Sequence, residues 1–266
     1  MAASNAVRWL TRQRVPTAEL QFHDLAAETR ALLYFCVAYV GASFAIGFAI
    51  VHAPLPIWGA TDFLQDVWYT VVFKIGLLLV LPLWVFVNRG YRVADLLYGW
   101  RLSPRSGVVL ALCFAIGLGI NLGRLAELRT AWALHVPAEA AARAVLGVAI
   151  AFLNAGLPEE LVYRGLLQTR LEKSWGRPAA IAVSVALFVA WHLPTRFMLA
   201  HGVEGEAGDF GSVLLGTGIP VGPVGLVFAL MWDRHRNLPA LIAVHGGIDS
   251  IPIVCSMLQS TAIGHR

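Results

Sequence analysis

Long apolar segments separated by short polar loops run along most of the chain. A helix that spans the hydrocarbon core of a bilayer needs about 20 mostly apolar residues, so this pattern predicts membrane-spanning helices. They are expected at Ala31–Val51, Trp68–Val87, Val108–Leu122, Ala141–Gln168, Ala179–Pro194, Ser212–Trp232 and Leu238–Leu258. The predicted fold is an all-α, polytopic transmembrane helical bundle of about seven spans, with six or eight as alternatives.

Two of these segments carry small or helix-breaking residues. Gly119 and Gly123, near the end of the short third segment, have the spacing of a close helix contact. The sixth segment opens with a run of glycines and prolines that predicts a kinked or partly unwound helix. That run is Gly216, Gly218, Pro220, Gly222, Pro223 and Gly225.

Three regions follow from the distribution of polar and apolar residues. Residues 1–30 are polar and Arg-rich, and are expected to form a cytoplasmic N-terminal arm. Residues 31–140 are expected to form N-terminal transmembrane helices. Residues 141–260 are expected to form a transmembrane core that holds the ionisable motifs described below.

Composition supports a membrane protein. Hydrophobic residues make up 58% of the chain and charged residues 14%, against about 25% charged residues in soluble domains. The formal net charge of +4 could indicate a nucleic-acid partner. We interpret the surplus arginine instead as marking cytoplasmic loops, and expect no nucleic acid to bind.

The Arg-rich loops also predict an orientation. The N-terminal arm and the segments Asn88–Ser106, Thr169–Arg177 and Asp233–Asn237 carry most of the Arg and Lys residues, and alternate along the chain with loops poor in both. They are expected to face the cytoplasm, which places the N-terminus inside. The Gly123–Ala140 loop, with Arg124 and Arg129, conflicts with this rule. The Ala-, Gly- and Arg-rich composition favours a bacterial inner membrane.

Ionisable residues inside three of the apolar segments are the candidates for chemistry. Intramembrane ionisable groups are costly, and usually mark functional sites. The fourth segment holds Glu159, Glu160 and Arg164, the fifth His192, and the seventh His245 and Asp249. Lys74, in the second segment, is expected to snorkel or to pair internally, and has no predicted role.

Helix geometry predicts different roles for the two glutamates. Residues four apart share a helix face, so Glu160 is expected to pair with Arg164. Glu159 points about 100° away and is predicted to be the free carboxylate, suited to act as a general base or acid.

The helix rise also gives the expected depths of the three motifs. Glu159 would lie about 20–25 Å from the turn at Gly176, and His192 about 20 Å beyond that turn. His245 would lie only about 10–15 Å from Asn237. A shared site therefore requires helix tilt or a recessed cavity.

Several known site types are missing from the sequence. There is no His-Glu-x-x-His zinc motif, and no Gly-x-Ser-Gly run of the rhomboid kind. Asp209 lies in a polar loop and lacks the Gly-x-Gly-Asp pattern of presenilin-type proteases.

Taken together, the ordered motifs resemble a known family. Glu159-Glu160-x-x-x-Arg164, Phe188-x-x-x-His192 and His245-x-x-x-Asp249 resemble the three motifs of the CPBP intramembrane proteases, which include the Rce1-like CAAX prenyl proteases and the bacterial Abi-type proteins. The resemblance covers roughly Arg143–Leu258. It implies an intramembrane endopeptidase that acts on a membrane-embedded or membrane-associated peptide or protein.

The resemblance also implies roles for individual residues. Glu159 and His192 would activate the attacking water, and His245 with Asp249 would stabilise the oxyanion. Glu160, Arg164 and Phe188 would support them. An ionised Asp cannot donate a hydrogen bond, so we expect Asp249 to orient His245 and to leave that ring as the donor.

Alternatives remain open at this point. Glu159, His192 and His245 have the composition of a catalytic zinc site, although the resemblance favours no cofactor. The same Glu/His chain could serve as the relay of a proton-coupled transporter. A catalytically silent immunity or scaffold protein of the family is a third possibility.

Overall fold

The computed structural model describes residues 22–52, 69–97, 99–100, 106–198 and 210–259. Within these ranges the regular elements are helices, which confirms the all-α prediction. They are α1 (Leu25–His52), α2 (residues 69–88, with π-helical Tyr69–Val80 followed by α-helical Leu81–Asn88), α3 (Val93–Leu96), α4 (Ser106–Ile120), α5 (Leu125–Trp132), α6 (Pro137–Trp175), α7 (Arg177–Met198), α8 (Phe210–His235) and α9 (Leu238–Gln259).

The predicted spans coincide with helix, with two exceptions: Trp68 lies outside the described residues, and the third span ends at Ile120, because Asn121 forms a turn. Among the described residues, five helices are long and apolar enough to cross a membrane, and the bent pair α4–α5 brings the number to six. The apolar helix Val72–Asn88 is shorter. The chain is therefore a polytopic helical membrane protein.

Helix α1 begins earlier than expected. It starts at Leu25, because Asp24 caps it: the Asp24 Oδ1 atom accepts a hydrogen bond of 2.9 Å from the Ala27 amide. The last six residues of the predicted arm therefore belong to α1. The rest of the arm, up to residue 21, lies outside the described residues.

Helix α6 contains two π-helical stretches, Phe152–Gly156 and Glu160–Gln168. They flank Leu157–Glu159, which contains Pro158. Proline has no N–H for the hydrogen bond that an α-helix requires, and wider π turns inside α-helices are common at functional sites. The backbone is therefore irregular on both sides of Glu159.

Helix α9 packs closely against α4 through two glycines. A Cβ atom at Gly117 would lie 2.1 Å from the Val244 carbonyl oxygen, and one at Gly247 would lie 2.4 Å from the Phe114 carbonyl oxygen. The close contact predicted at Gly119 and Gly123 is wrong, because a Cβ atom added at either position would have no neighbouring atom within 4 Å. The third span does make a glycine contact, but two residues before Gly119.

Helix α8 continues through Pro220 and Pro223 without unwinding, so the predicted partial unwinding is wrong. Pro220 has no N–H to donate to the Gly216 carbonyl four residues earlier. The Arg196 Nη1 atom of α7 donates to that oxygen instead, at 3.3 Å. A side chain thus satisfies a carbonyl that the proline leaves without its helical partner, as membrane helices require.

The described parts of the four Arg-rich segments meet at one end of the bundle. Contacts that join them run from Glu28 to Arg170 (2.8 Å) and Tyr91 (2.6 Å), from Arg177 to Asp233 (2.8 Å), and from the Leu238 amide to the Gly99 carbonyl (3.0 Å). This agrees with the predicted alternation of loops. That this end faces the cytoplasm remains a prediction.

Helix α5 lies at the opposite end. Together with the preceding 3-10 helix Leu122–Arg124, it is bent by 61° from α4, and His135, just after it, contacts the Leu258 carbonyl near the end of α9 at 2.7 Å. Arg124 and Arg129 are therefore at the other end of the bundle from the Arg-rich segments.

Candidate active site

Three helices bring Glu159, His192 and His245 together. Glu159 on α6 is fully buried, and its Oε2 atom lies 3.7 Å from Nε2 of His192 on α7 and 3.9 Å from Nε2 of His245 on α9. Both histidines are also buried. Residues 33 to 86 positions apart in sequence thus share one buried point.

His245 lies close to the start of its helix, but α9 itself starts inside the bundle. Leu238, the first residue of α9, is fully buried, whereas Trp175 at the end of α6 is 54% exposed. Gly99, at φ +88°, lies against this start, and a Cβ there would be 2.7 Å from the Arg236 carbonyl oxygen. The α6–α7 hairpin therefore extends beyond the start of α9, which levels the three depths.

Lys74 of α2 joins this site. Its Nζ atom lies 3.1 Å from Glu159 Oε1, and its side chain is 3% exposed. Nζ also lies 4.7 Å from the centroid of the Trp191 ring, a favourable position for a cation. The expectation that Glu159 is free is therefore wrong, whereas the expectation that Lys74 pairs internally is confirmed.

Glu160 connects two helices. Its Oε1 atom lies 3.3 Å from Nη1 of Arg164, as the four-residue spacing predicts. The same oxygen lies 2.7 Å from Nδ1 of His245. Glu160 is therefore a partner of His245 as well as of Arg164.

Arg164 is fully buried between α6, α7 and α8. Its guanidinium carbon lies 4.0 Å from the centre of the Phe188 ring, and Nη2 donates to the Gly225 carbonyl at 3.2 Å. A Cβ at Gly225 would lie 3.0 Å from the Phe188 ring. Phe188 and Gly225 thus form the pocket that holds the cation beside Glu160.

The tautomer of His192 follows from its partner. The Nδ1 atom lies 2.7 Å from the Phe188 carbonyl oxygen on the same helix. A carbonyl can only accept, so Nδ1 carries the proton. In the neutral ring Nε2 then has a lone pair, and this atom faces Glu159.

His245 has a carboxylate near each ring nitrogen. Glu160 lies at 2.7 Å from Nδ1, and Asp249 Oδ2 lies 3.5 Å from Nε2. The shorter contact adds Glu160 as a partner that orients the ring, and the orienting role expected for Asp249 remains a prediction. The Asp249 side chain is 27% exposed, so the site approaches the surface on this side.

The donor set fits zinc poorly. No group of three or more His, Cys, Asp or Glu residues within the described ranges has the arrangement of a metal site. In addition, the Lys74 ammonium lies 3.1 Å from Glu159, and this positive charge would repel a dication bound to that carboxylate.

Two relationships at this site were not predicted from the sequence. One is the contact of Lys74 with Glu159, and the other is the contact of Glu160 with His245. The rule that intramembrane charges mark functional sites applies to Lys74 as much as to the glutamates. It could have identified Lys74, whereas spacing within one helix could not reveal the second contact.

Residues 141–251 match the family model described as Type II CAAX prenyl endopeptidase Rce1-like. The match includes all the motif residues, and Lys74 lies outside it. No curated protein and no solved structure matches the chain.

Proposed function

Because residues 141–251 belong to the Rce1-like family of type II CAAX prenyl endopeptidases, we propose that this membrane protein is an intramembrane endopeptidase that hydrolyses a peptide bond in a membrane-associated peptide or protein. One observation carries the proposal. A buried carboxylate oxygen of Glu159 lies within 4 Å of Nε2 of both His192 and His245, on three different helices.

Glu159 and His192 supply the base. Glu159 Oε2 and the His192 Nε2 lone pair both accept hydrogen bonds, and they lie 3.7 Å apart. A substrate water that donates to both presents its own lone pair to the scissile carbonyl. As the water oxygen bonds to the carbonyl carbon, Glu159 takes its proton.

His245 stabilises the tetrahedral oxyanion. Its Nδ1–H donates to Glu160 at 2.7 Å, so only the doubly protonated ring has an Nε2–H left to donate. Carboxylates beside both nitrogens, from Glu160 and Asp249, stabilise that cationic ring. A fixed donor aimed at developing negative charge is usually a large contribution to catalysis.

Collapse of the intermediate breaks the C–N bond. Glu159 returns its proton to the leaving amine nitrogen, which completes hydrolysis without a covalent enzyme intermediate. In this proposal the mechanism needs no metal. The protein acts in a bacterial inner membrane, with its N-terminus in the cytoplasm.

The test is a peptidase assay in detergent with a quenched peptide library. Glu159→Gln, His192→Ala and His245→Ala should each lower kcat at least about 100-fold. Glu139→Gln serves as the control, because this carboxylate is exposed at the far end of the same helix. Full activity of Glu159→Gln would contradict the mechanism.

Two further measurements separate the alternatives. Activity that persists after exhaustive chelation supports the metal-independent mechanism, and loss that zinc restores would overturn it. Proton flux into liposomes from a protein without peptidase activity would identify a transporter instead.

A further inference from the structure

We propose that Lys74 is a positioning residue of the active site, which holds Glu159 as a carboxylate with one oxygen directed at the histidines. The inference rests on the proposed function and adds a residue from outside the family match. Lys74 belongs to α2, whereas the matched region begins at residue 141.

The contact with Lys74 gives the two carboxylate oxygens of Glu159 different neighbours. Oε1 faces the Lys74 ammonium at 3.1 Å, and Oε2 faces His192 and His245 at 3.7 and 3.9 Å. An ammonium fixed on one oxygen restricts rotation of the carboxylate. The other oxygen therefore keeps the direction that water activation requires.

Lys74 is itself held in place by α7. Its ammonium lies over the ring of Trp191, which precedes His192 in the chain. The same cation therefore contacts the helix of the base and the helix of its histidine partner. It lies in the π-helical stretch Tyr69–Val80, and such stretches are frequent at functional sites.

The charges of the buried cluster support this role. Two carboxylates, Glu159 and Glu160, face two cations, Lys74 and Arg164, and all four side chains are at most 3% exposed. A buried carboxylate that loses its cationic partner is strongly destabilised. Neutralising Lys74 would therefore favour uptake of a proton by Glu159, and a protonated Glu159 cannot act as a base.

The chain offers a matched control for the experiment. It contains two lysines, Lys74 and Lys173, and Lys173 is exposed near the end of α6. Lys74→Met removes the charge and preserves much of the volume. Lys74→Gln removes the charge but keeps an N–H donor, and Lys74→Arg keeps the charge.

Each purified full-length variant is assayed for kcat, KM and thermal unfolding in detergent. Lys74→Met and Lys74→Gln should lose roughly 100-fold in kcat with KM little changed, since the defect lies in the chemical step. Lys74→Arg should retain at least about a tenth of kcat, because it restores the charge with a different shape. Lys173→Met should match the wild type.

Several results would overturn the proposal. Wild-type kcat in a neutral variant, or a change confined to KM, would remove Lys74 from the chemical step. Equal loss in Lys74→Arg and Lys74→Met would assign the effect to packing. If neither neutral variant folds while Lys74→Arg does, Lys74 is needed for stability alone. A wild-type protein without peptidase activity would instead refute the proposed function.

Discussion

Glu160 and His245 are hydrogen-bonded between helices α6 and α9, with 2.7 Å from Oε1 of the carboxylate to Nδ1 of the ring. The same oxygen accepts from Arg164 at 3.3 Å. One carboxylate therefore orients the proposed oxyanion donor and also neutralises a fully buried cation. In the proposed mechanism, stability and catalysis therefore depend on the same atom.

Glu160→Ala should accordingly destabilise the protein as well as inactivate it. The change leaves Arg164 buried without its carboxylate, and loss of one partner of a buried ion pair costs about 3–5 kcal/mol. Thermal unfolding in detergent measures the effect. Glu139→Ala removes a more exposed partner of Arg143 and should cost less than about 1 kcal/mol. Equal losses in both variants would contradict the assignment.

Asp249→Asn should keep peptidase activity within about tenfold of the wild type. Oδ2 of Asp249 lies 3.5 Å from His245 Nε2, and an amide at this position gains an N–H that can donate to the oxyanion. Asp249→Ala, which has neither charge nor donor, should lose more activity. The comparison uses kcat/KM, and an inactive Asp249→Asn would show that the negative charge is essential.

The crossing of α4 and α9 should not tolerate a methyl group. Gly117→Ala would place Cβ 2.1 Å from the Val244 carbonyl oxygen, so the helices must separate. We expect a loss of several kcal/mol, since backbone cannot move aside as a side chain can. Gly119→Ala is the control, because its surroundings are open, and it should be neutral or slightly stabilising. The measurement is the unfolding temperature of each variant compared with that of the wild type.

Stability should fall at alkaline pH in part through Tyr91. Burial, and the hydrogen bond that its hydroxyl donates to Glu28, raise the pKa of Tyr91 above its ordinary value of 10.0. A group whose pKa is raised on folding contributes stability that is fully present below the unfolded pKa. This contribution is lost as pH rises through the folded pKa.

Unfolding of the wild type and of Tyr91→Phe should therefore be compared from pH 8 to about 11. The wild type should lose stability more steeply above about pH 10, because phenylalanine has no proton to lose. Parallel curves for the two proteins would show that Tyr91 does not contribute to the alkaline loss.

The helices could be predicted from sequence because each apolar segment has to satisfy its backbone internally. The site could be predicted in part because Glu159, His192 and His245 are ionisable groups in apolar surroundings. The partner of Glu159 could not be deduced, since Lys74 comes from another helix and hydropathy does not show which faces meet. Likewise, only the packing of helices distinguishes Gly117 from Gly119.

The prediction for α8 failed for a related reason. Prolines weaken a helix by removing hydrogen-bond donors, and the sequence does not reveal that Arg196 replaces the donor missing at Pro220. Rules applied to one segment cannot include hydrogen bonds that another segment supplies. For the same reason, the contact of Glu160 with His245 could not be predicted from the spacing within α6.

In the proposed mechanism, the length of α6 determines how deep in the bilayer the chemistry takes place. Its last segment, Thr169–Trp175, is polar and carries Arg170, Glu172 and Lys173, so we place the edge of the hydrocarbon near Gln168. Glu159 lies nine residues further in, or about 13 Å, which is close to the middle of a hydrocarbon core of about 30 Å. A scissile peptide group must reach this depth with its N–H and C=O released from helical hydrogen bonds, at a cost of several kcal/mol. Chain ends and helix breaks, where those bonds are already missing, reach the site at the lowest cost.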